Sequence, residues 1–217
     1  MPGISMWCST RCSGRETGRR CAGLVLLTLA IGWGPAADAH ANVEPPPPAV
    51  APADAAAALL PGATIVGTGT LRFLGMAVYD ARLLAAPGWH AGALGRQPVV
   101  LELTYQRRFR GADIARRSLE EMRRPGPLPA AAETAWLSAM QRLFPDVQPG
   151  DRIAGLWQPG VGARFVLTRA DGRVQPLGAI DDAAFAERFF GIWLAPTTSE
   201  PGLRQALLGT SAGASVP

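Results

Sequence analysis

The sequence predicts an α+β domain in which an antiparallel sheet carries its helices on one face. Three features of the 217-residue chain lead to this fold class. Three strands come first and are followed by two helices, a second block of antiparallel strands precedes two more helices, and glycine or proline turns join several of the strands. Such segregation is typical of an antiparallel sheet covered by a layer of helices. The folded part is expected to run from residue 62 to residue 209, the size of one ordinary domain.

Residues 64–84 predict the first two strands. Apolar side chains alternate with small or polar ones up to Phe73, Gly75 provides a bend, and a second strand starts at Met76. Gly67 and Gly69 lie inside the first strand, where glycine usually marks a bulge or a close approach to the backbone. The segment GTGTLRFLG has the wrong spacing for a dinucleotide fingerprint and no helix follows it.

Residues 99–124 predict a strand followed directly by a helix. The residues expected on the buried face of the strand are Val99, Leu101, Leu103 and Tyr105. Extending the alternation two residues further places Arg107 on the same face as Tyr105. Gly111 ends the strand pattern, and Asp113 is the expected helix cap. The apolar stripe of the helix is Ala115, Ser118, Leu119 and Met122.

The residues after 124 predict one helix, then three strands, and then two final helices. A helix is expected over residues 130–144, strands over residues 151–157 and 163–168, and an edge strand ending near Gly178. Asp181 or Asp182 is expected to cap the next helix, whose buried stripe is Phe185, Phe189, Ile192 and Trp193. Ser199 is expected to cap the last helix, with Pro201 in its first turn and Gly209 as its stop.

The N-terminal residues predict export. Residues 1–41 combine a basic region with an apolar run of secretory length, and small residues allow cleavage after Ala39 or Ala41. Retention of the run as an uncleaved anchor is the alternative. Residues 42–61 predict a proline- and alanine-rich linker, and residues 210–217 a disordered tail. A periplasmic or secreted protein without a stable membrane span is the expectation.

Composition excludes several classes of chemistry from the mature chain. All three cysteines, Cys8, Cys12 and Cys21, belong to the leader, so we expect neither a disulfide nor a cysteine metal site. His90 is the only histidine beyond residue 41, which argues against histidine-based triads and metal sites. The sequence contains no lysine, and loss of the leader lowers the formal net charge from +4 to +2. This charge is too small for a nucleic-acid scaffold. No cofactor and no metal are expected.

Several motifs resemble those of the bacterial chalcone isomerase-like proteins. They are GTGTLRFLGMAVYDARL, LELTYQR, FPDVQPGD, WQPGVGARF and AFAERFFGIWLAPTTSEPGLRQALLG. The resemblance covers residues 62–209 and implies an open-faced β-sandwich, in which a large antiparallel sheet is covered by helices with a ligand cleft between them. In that superfamily some members are plant enzymes that cyclise chalcones, and others bind fatty acids without catalysis.

The catalytic residues of the plant enzymes do not carry over. The resemblance places Leu74 at the catalytic threonine, Ile114 at the tyrosine and Glu121 at the asparagine, while the arginine falls near Gly62. Leucine and isoleucine cannot stabilise a phenolate or deliver a proton. Chalcone isomerisation is therefore not expected.

The first functional hypothesis is binding of a fatty acid or a similar amphipathic carboxylate. A phenol and a guanidinium at the inward end of an apolar strand are costly to bury without a partner. Tyr105 and Arg107 would hold the carboxylate and Arg72 would assist. The expected lining of the channel is Leu101, Leu103 and Met122.

Three other interpretations compete with this hypothesis. In the first, Tyr105 and Arg107 bond only to carboxylates of the protein itself, and the candidates are Glu102, Asp113 and Glu120. An isomerase or intramolecular lyase would use Tyr105 as an acid and an arginine as the oxyanion partner, on an unknown enone or phenolic substrate. A periplasmic partner-binding module would dock through the open face of the sheet.

Overall fold

The computed structural model describes residues 54–210, and its centre is a six-stranded antiparallel sheet. The strands are β1 (Thr64–Phe73), β2 (Met76–Ala85), β3 (Val99–Tyr105), β4 (Arg152–Gln158), β5 (Gly162–Thr168) and β6 (Val174–Ile180). Each strand pairs with the next one along the chain. The expected signal peptide, most of the expected linker and residues 211–217 lie outside the described residues.

Five helices accompany the sheet in the described part of the chain. They are α1 (Ala55–Leu59), α2 (Gly111–Met122), α3 (Ala130–Leu143), α4 (Ala183–Leu194) and α5 (Pro201–Leu207). The main core joins α2, α3, α4 and α5 to one face of the sheet. The predicted α+β class and the antiparallel open sheet are confirmed, and the four longer helices α2, α3, α4 and α5 lie on one face of that sheet. The edge strand β6 is two residues longer than expected and ends at Ile180.

Aromatic rings fill the space between the sheet and α4. Trp157 of β4 stacks on Phe190 with ring centroids 5.6 Å apart, and Phe165 of β5 meets Phe189 edge-to-face at 5.3 Å. The predicted stripe of α4 is buried at Phe185, Phe189 and Trp193. These contacts make the centre of the helix–sheet interface a packed core.

The two glycines inside β1 have the predicted role. Gly67 lies at an irregularity in the pairing of β1 with β2, and a Cβ there would lie 2.1 Å from the carbonyl oxygen of Ala206 in α5. A Cβ on Gly69 would lie 2.6 Å from a methyl group of Leu203. The absence of side chains at these positions lets α5 approach the strand closely.

Helix capping differs from expectation at two of three sites. Asp182 caps α4, as one of the two predicted alternatives, by accepting a 3.0 Å hydrogen bond from the backbone N–H of Phe185. Asp113 does not cap α2, because α2 begins two residues earlier and Asp146 accepts from the N–H of Gly111. Ser199 does not cap α5 either, because its hydroxyl donates to a carboxylate oxygen of Glu121 at 3.1 Å.

The predicted linker covers residues 42–61, of which the structure describes residues 54–61. For these residues the prediction is wrong. Residues 55–59 form α1, and Ala55 and Ala56 are buried against the face of the sheet opposite the main core. Asp54 caps α1 and also accepts a 2.7 Å hydrogen bond from Arg82, whose guanidinium also bonds Glu102 at 2.8 Å. Alanine-rich sequence is a good helix former, and the ion pairs attach it to the sheet.

Candidate functional site

The strand order brings several sequence-predicted residues to one end of the sheet. Because β1 to β6 form a simple antiparallel meander, the β1–β2 turn, the β3–α2 loop, the start of β4 and the β5–β6 turn share that end. We call it the hairpin end and define it as residues 72–80, 104–110, 145–152 and 169–173. It contains Arg72, Tyr105 and Arg107 of the predicted site.

Tyr105 lies in the main core at the last position of β3. It is only 5 % exposed, lies opposite Tyr79 of β2, and its ring meets that ring edge-to-face with centroids 6.3 Å apart. The ring of Phe109 also contacts that of Tyr105, with centroids 5.9 Å apart. Burial raises the pKa of Tyr105 well above its ordinary value, and the neighbouring Tyr79 adds to the shift. The phenol is therefore protonated at neutral pH.

Tyr79 is a second, partly buried phenol that the sequence analysis did not assign to the site. Its hydroxyl accepts a 2.9 Å hydrogen bond from the indole Nε1 of Trp193 in α4. Burial raises the pKa of Tyr79 to about 12, and the negative charges of Glu200 and Glu121 act in the same direction. Its position opposite Tyr105 follows from the register of β2 and β3, which the sequence alone does not supply.

The prediction that Arg107 shares the buried face of Tyr105 is wrong. β3 ends at Tyr105, the chain bends at residues 106 and 107, and the Arg107 side chain is exposed. Its Nη1 lies 3.3 Å from the sulfur of Met76 at the end of the β1–β2 turn. The alternation stops because the strand ladder stops, so counting two residues further gives the wrong face.

The carboxylates offered as internal partners for Tyr105 and Arg107 are engaged elsewhere. Glu102 bonds Arg82, Asp113 bonds Arg116, and Glu120 bonds Arg117 at 3.1 Å. Within residues 54–210, neither Arg72 nor Arg107 forms a salt bridge with a carboxylate. The interpretation of these residues as an internal strand–helix tie is therefore not supported.

Arg72 lies beside an exposed apolar turn. Its Nη1 donates a 3.3 Å hydrogen bond to the carbonyl oxygen of Gly75, and its side chain faces solvent. The large apolar side chains of the turn are also exposed, and they are Phe73, Leu74 and Met76. Arg72 and Arg107 thus flank the same turn at the rim of the hairpin end.

The three predicted apolar lining residues lie inside the main core. Leu103 is 7 % exposed, Leu101 is 3 % exposed, and Met122 of α2 is fully buried. Tyr105, Leu103 and Leu101 follow one another on the helix-covered face of β3. The structure therefore brings these three residues together with Tyr105 in the core, whereas Arg72 and Arg107 lie exposed at the rim.

A buried carboxylate in α2 is a further feature that sequence reasoning did not assign to the site. Glu121 is 8 % exposed and bonds Arg117 one helical turn earlier, Arg124 at 3.4 Å and the Ser199 hydroxyl at 3.1 Å. The spacing of the two arginines from Glu121 is a helical ion-pair pattern readable in the sequence. The contact with Ser199 joins residues 78 positions apart and needed the structure.

Two surface concavities lie away from the helix–sheet interface. One, of about 690 Å³, is formed by α3 and lined by residues between Ala130 and Arg142. The other, of about 840 Å³, lies at the hairpin end between Thr104, Arg152 and the β5–β6 turn. Because aromatic rings pack between the sheet and α4, an acyl chain entering there would displace side chains. No helix between residues 54 and 210 has the length and apolar character needed to cross a membrane.

An open antiparallel sheet with one helix-covered face and a cationic, partly apolar rim defines an α+β protein of the open-faced sandwich class. Residues 66–209 match the family described as chalcone isomerase-like, and the chain belongs to that family. The resemblance in the motifs is thereby confirmed.

Two individual proteins are similar to this chain. An uncharacterized protein of Haemophilus influenzae is 32% identical over 132 residues, which are 61% of this chain and 61% of the relative's own length. The crystal structure of a fatty-acid binding protein of Arabidopsis thaliana aligns with a TM-score of 0.48 and 10% identity, over 69% of this chain and 88% of that one.

Proposed function

We propose that this protein binds a small amphipathic carboxylate, such as a fatty acid, without transforming it. The carboxylate would lie at Arg107 and Arg72 on the rim, and the apolar chain would run beneath it along Tyr105 and Leu103. The observation that carries the proposal is the position of Arg107: its guanidinium contacts the sulfur of Met76 and pairs with no carboxylate in the described residues.

The rim arginines match the head group of such a ligand. A guanidinium presents several N–H donors in a planar fork, and a carboxylate accepts two of them in charge-assisted bonds. Arg72 and Arg107 flank the same turn, at Gly75 and Met76, so a single ligand head group is proposed to pair with both. A neutral ligand of the same length would lose these bonds.

The residues beneath the rim match the apolar part of the ligand. Tyr105, Leu103 and Leu101 lie in line on one face of β3, and Met122 approaches that face from α2. The interior is packed, so the chain must replace protein side chains as it enters. Methionine is unbranched and adapts its conformation readily, which lowers the cost of rearrangement at Met122 and Met140.

The geometry favours binding over an isomerase that uses Tyr105 and an arginine together. Tyr105 is buried and protonated at neutral pH, whereas Arg107 is exposed beyond the end of β3. A general acid and its oxyanion partner need a reacting atom within hydrogen-bond reach of both. Here the phenol lies in the core and the guanidinium in solvent, which does not favour a shared position.

Docking of a partner on an apolar open sheet face is also less favoured. The apolar residues on the face opposite the main core are Leu84, Val100, Ala154, Leu156 and Val166, and α1 packs on them. Arg82 and Glu102 make the adjoining part of this face charged. The protein thus covers this surface with its own residues.

Export is part of the proposal, because it determines which lipids the protein meets. The expected leader, residues 1–41, lies outside the described residues. Intact-mass measurement of the protein from the periplasmic fraction tests export and cleavage. The expected result is a mass that lacks residues 1–39 or 1–41. Full-length mass in that fraction would contradict cleavage.

Calorimetric titration of the lipid-free full chain tests the binding proposal. A long-chain fatty acid is expected to bind at least about tenfold more tightly than the alcohol of equal length, because only the acid pairs with the arginines. Arg107→Ala is expected to weaken acid binding by about tenfold and to leave alcohol binding unchanged. Arg164→Ala is the matched control, since Arg164 is an exposed strand arginine of β5 with no salt bridge in the described residues.

A second variant tests the path of the apolar chain. Leu103→Trp would place a larger side chain beneath Tyr105 on the proposed path, and we expect it to weaken binding of acid and alcohol alike. Equal affinity for acid and alcohol, or unchanged acid binding in Arg107→Ala, would refute the proposed head-group site. Absence of any binding by the wild-type protein would refute the carrier function itself.

A further inference from the structure

The turn between β1 and β2 exposes an unusual amount of apolar surface. Phe73 is 54% exposed, Leu74 82% and Met76 47%. We call residues 73–76 the hairpin tip. The other large apolar residues with comparable exposure in the described chain are single side chains at separate positions, namely Ile65, Val161 and Val174. Exposed apolar residues that cluster at one projecting point indicate an interaction surface rather than ordinary surface composition.

The backbone conformation of the hairpin tip is unusual for a leucine at position 74. Leu74 has φ of 50° and Gly75 has φ of 79°, both in the left-handed region. Two-residue hairpin turns of this kind favour asparagine followed by glycine, and leucine is a poor choice at the first position. Leu74 is also the most exposed of the large apolar residues named above, so packing within the chain does not explain it. Its apolar side chain is therefore suited to a contact outside the chain.

Charge is distributed unequally between the two ends of the sheet. The hairpin end contains seven arginines, which are Arg72, Arg107, Arg108, Arg110, Arg152, Arg169 and Arg173, and four aspartates, which are Asp80, Asp146, Asp151 and Asp171. The segments at the opposite end, residues 61–66, 85–99, 157–163 and 179–183, contain only Arg96 against Asp181 and Asp182. The apolar tip thus projects from the basic end of the sheet.

The aspartates of the hairpin end do not neutralise the arginines nearest the tip. Asp151 pairs with Arg169 and Asp171 with Arg173, both at 2.8 Å. Asp80 accepts hydrogen bonds from Thr70 and Gln106, and Asp146 accepts from the backbone of Gly111. Within residues 54–210, no salt bridge joins a carboxylate to any of the remaining arginines of this end, which are Arg72, Arg107, Arg108, Arg110 and Arg152.

We propose that the hairpin end docks on the surface of an anionic lipid bilayer. The tip would enter the head-group region with Phe73, Leu74 and Met76, and the unpaired arginines would meet lipid phosphates. Apolar side chains flanked by arginines are the combination that favours shallow binding at an anionic membrane interface. A basic surface also attracts the protein to such a membrane before contact.

This surface adjoins the site proposed for the amphipathic carboxylate. A protein docked in this orientation has the rim at Arg72 and Arg107 against the bilayer, where ligands of that chemistry are dissolved. Docking itself requires no bound acid, so the two proposals can fail separately.

Sedimentation with lipid vesicles tests the docking. The full chain is mixed with vesicles of phosphatidylcholine alone, or of phosphatidylcholine with phosphatidylglycerol. We expect at least about tenfold stronger binding to the anionic vesicles, decreasing as salt is added. Arg108→Gln with Arg110→Gln is expected to weaken binding to the anionic vesicles and to reduce its salt dependence.

Leu74→Asn is the decisive variant, because asparagine suits the left-handed turn and keeps the hairpin intact. It is expected to weaken vesicle binding by about tenfold while leaving fatty-acid binding in lipid-free solution unchanged. Val161→Asn is the matched control, since Val161 is 53% exposed in the turn at the opposite end of the sheet. Unchanged vesicle binding in Leu74→Asn, or equal binding to both kinds of vesicle, would overturn the proposal. Failure of acid binding with intact vesicle binding would refute the carrier function alone.

Discussion

The indole Nε1 of Trp193 donates a 2.9 Å hydrogen bond to the hydroxyl of Tyr79, joining α4 to β2 across 114 residues of the chain. The bond lies where the helix layer meets the sheet near the hairpin end, one strand away from Tyr105. It therefore helps to fix the position of α4 over the residues proposed to take the apolar part of a ligand.

Tyr79→Phe is expected to lower the free energy of unfolding by about 1 kcal/mol, because it leaves the buried indole N–H without its acceptor. Tyr105→Phe is the matched control: its hydroxyl has no hydrogen-bond partner in the described residues, so a smaller loss is expected. Urea unfolding of the three proteins measures the difference. Equal losses in the two variants would contradict the assignment of the bond.

Alkaline pH is expected to destabilise the protein. The pKa of Tyr79 is raised to about 12 by burial, and that of Tyr105 is also raised, so the folded state holds these protons more strongly than the unfolded chain. Their contribution is fully present below about pH 10, the ordinary tyrosine pKa, and is lost as pH rises toward 12. Each group lowers the free energy of unfolding by at most about 1.4 kcal/mol per pH unit. Urea unfolding between pH 8 and 11 should show this slope, and Tyr79→Phe should reduce it.

Gly111→Ala is expected to destabilise the protein by at least about 2 kcal/mol. A Cβ at this position would lie 1.9 Å from the carbonyl oxygen of Phe144, and backbone atoms cannot yield easily. Gly202→Ala in α5 is the control, because no atom lies within 4 Å of its Cβ position. That change is expected to stabilise the helix by about 0.5–1 kcal/mol. Thermal unfolding measures both effects. A shift of the two midpoint temperatures in the same direction would contradict the close approach at Gly111.

Asp182→Ala is expected to lower the free energy of unfolding by about 1–2 kcal/mol. The carboxylate caps α4 and accepts a 2.8 Å hydrogen bond from the indole of Trp136. Burial alone would raise the pKa of Asp182, but the Phe185 N–H and the Trp136 indole lower it on balance. Its contribution is therefore present above about pH 4 and is lost as pH falls below that value. Asp181→Ala removes the exposed neighbour and should have little effect in the same measurement.

Arg82→Met is expected to cost about 3 kcal/mol, because Glu102 is 2% exposed and would lose its charged partner. The same change frees Asp54, so amide hydrogen exchange in α1 should become faster than in the wild type. Arg164→Met, at an exposed position of β5, is the control and should alter neither stability nor exchange by a comparable amount. Unchanged exchange in α1 would show that Arg82 does not hold this helix on the sheet.

Local sequence patterns were sufficient for most of the secondary structure. Alternating apolar residues identified the face of β3 that meets the main core, from Val99 to Tyr105, and Gly75 marked the first turn correctly. The glycines of β1 indicated a close neighbour, which is α5. These features are readable because side-chain period, turn conformation and lack of a Cβ are properties of short segments.

Other features depend on pairings between distant segments. Arg107 lies outside the core because β3 ends at Tyr105, a boundary set by pairing with β2 and the turn before β4. Helix α1 folds onto the sheet because Arg82, which is also bonded to Glu102, bonds Asp54, although the sequence of α1 resembles a linker.

The sequence by itself determined the fold class, the faces of the strands and the residue types available for binding. Only the tertiary structure decided which polar groups meet, as Tyr79 meets Trp193 and Ser199 meets Glu121. The physical reason is that backbone propensity acts within a few residues, whereas burial and hydrogen bonding depend on which distant surfaces come into contact.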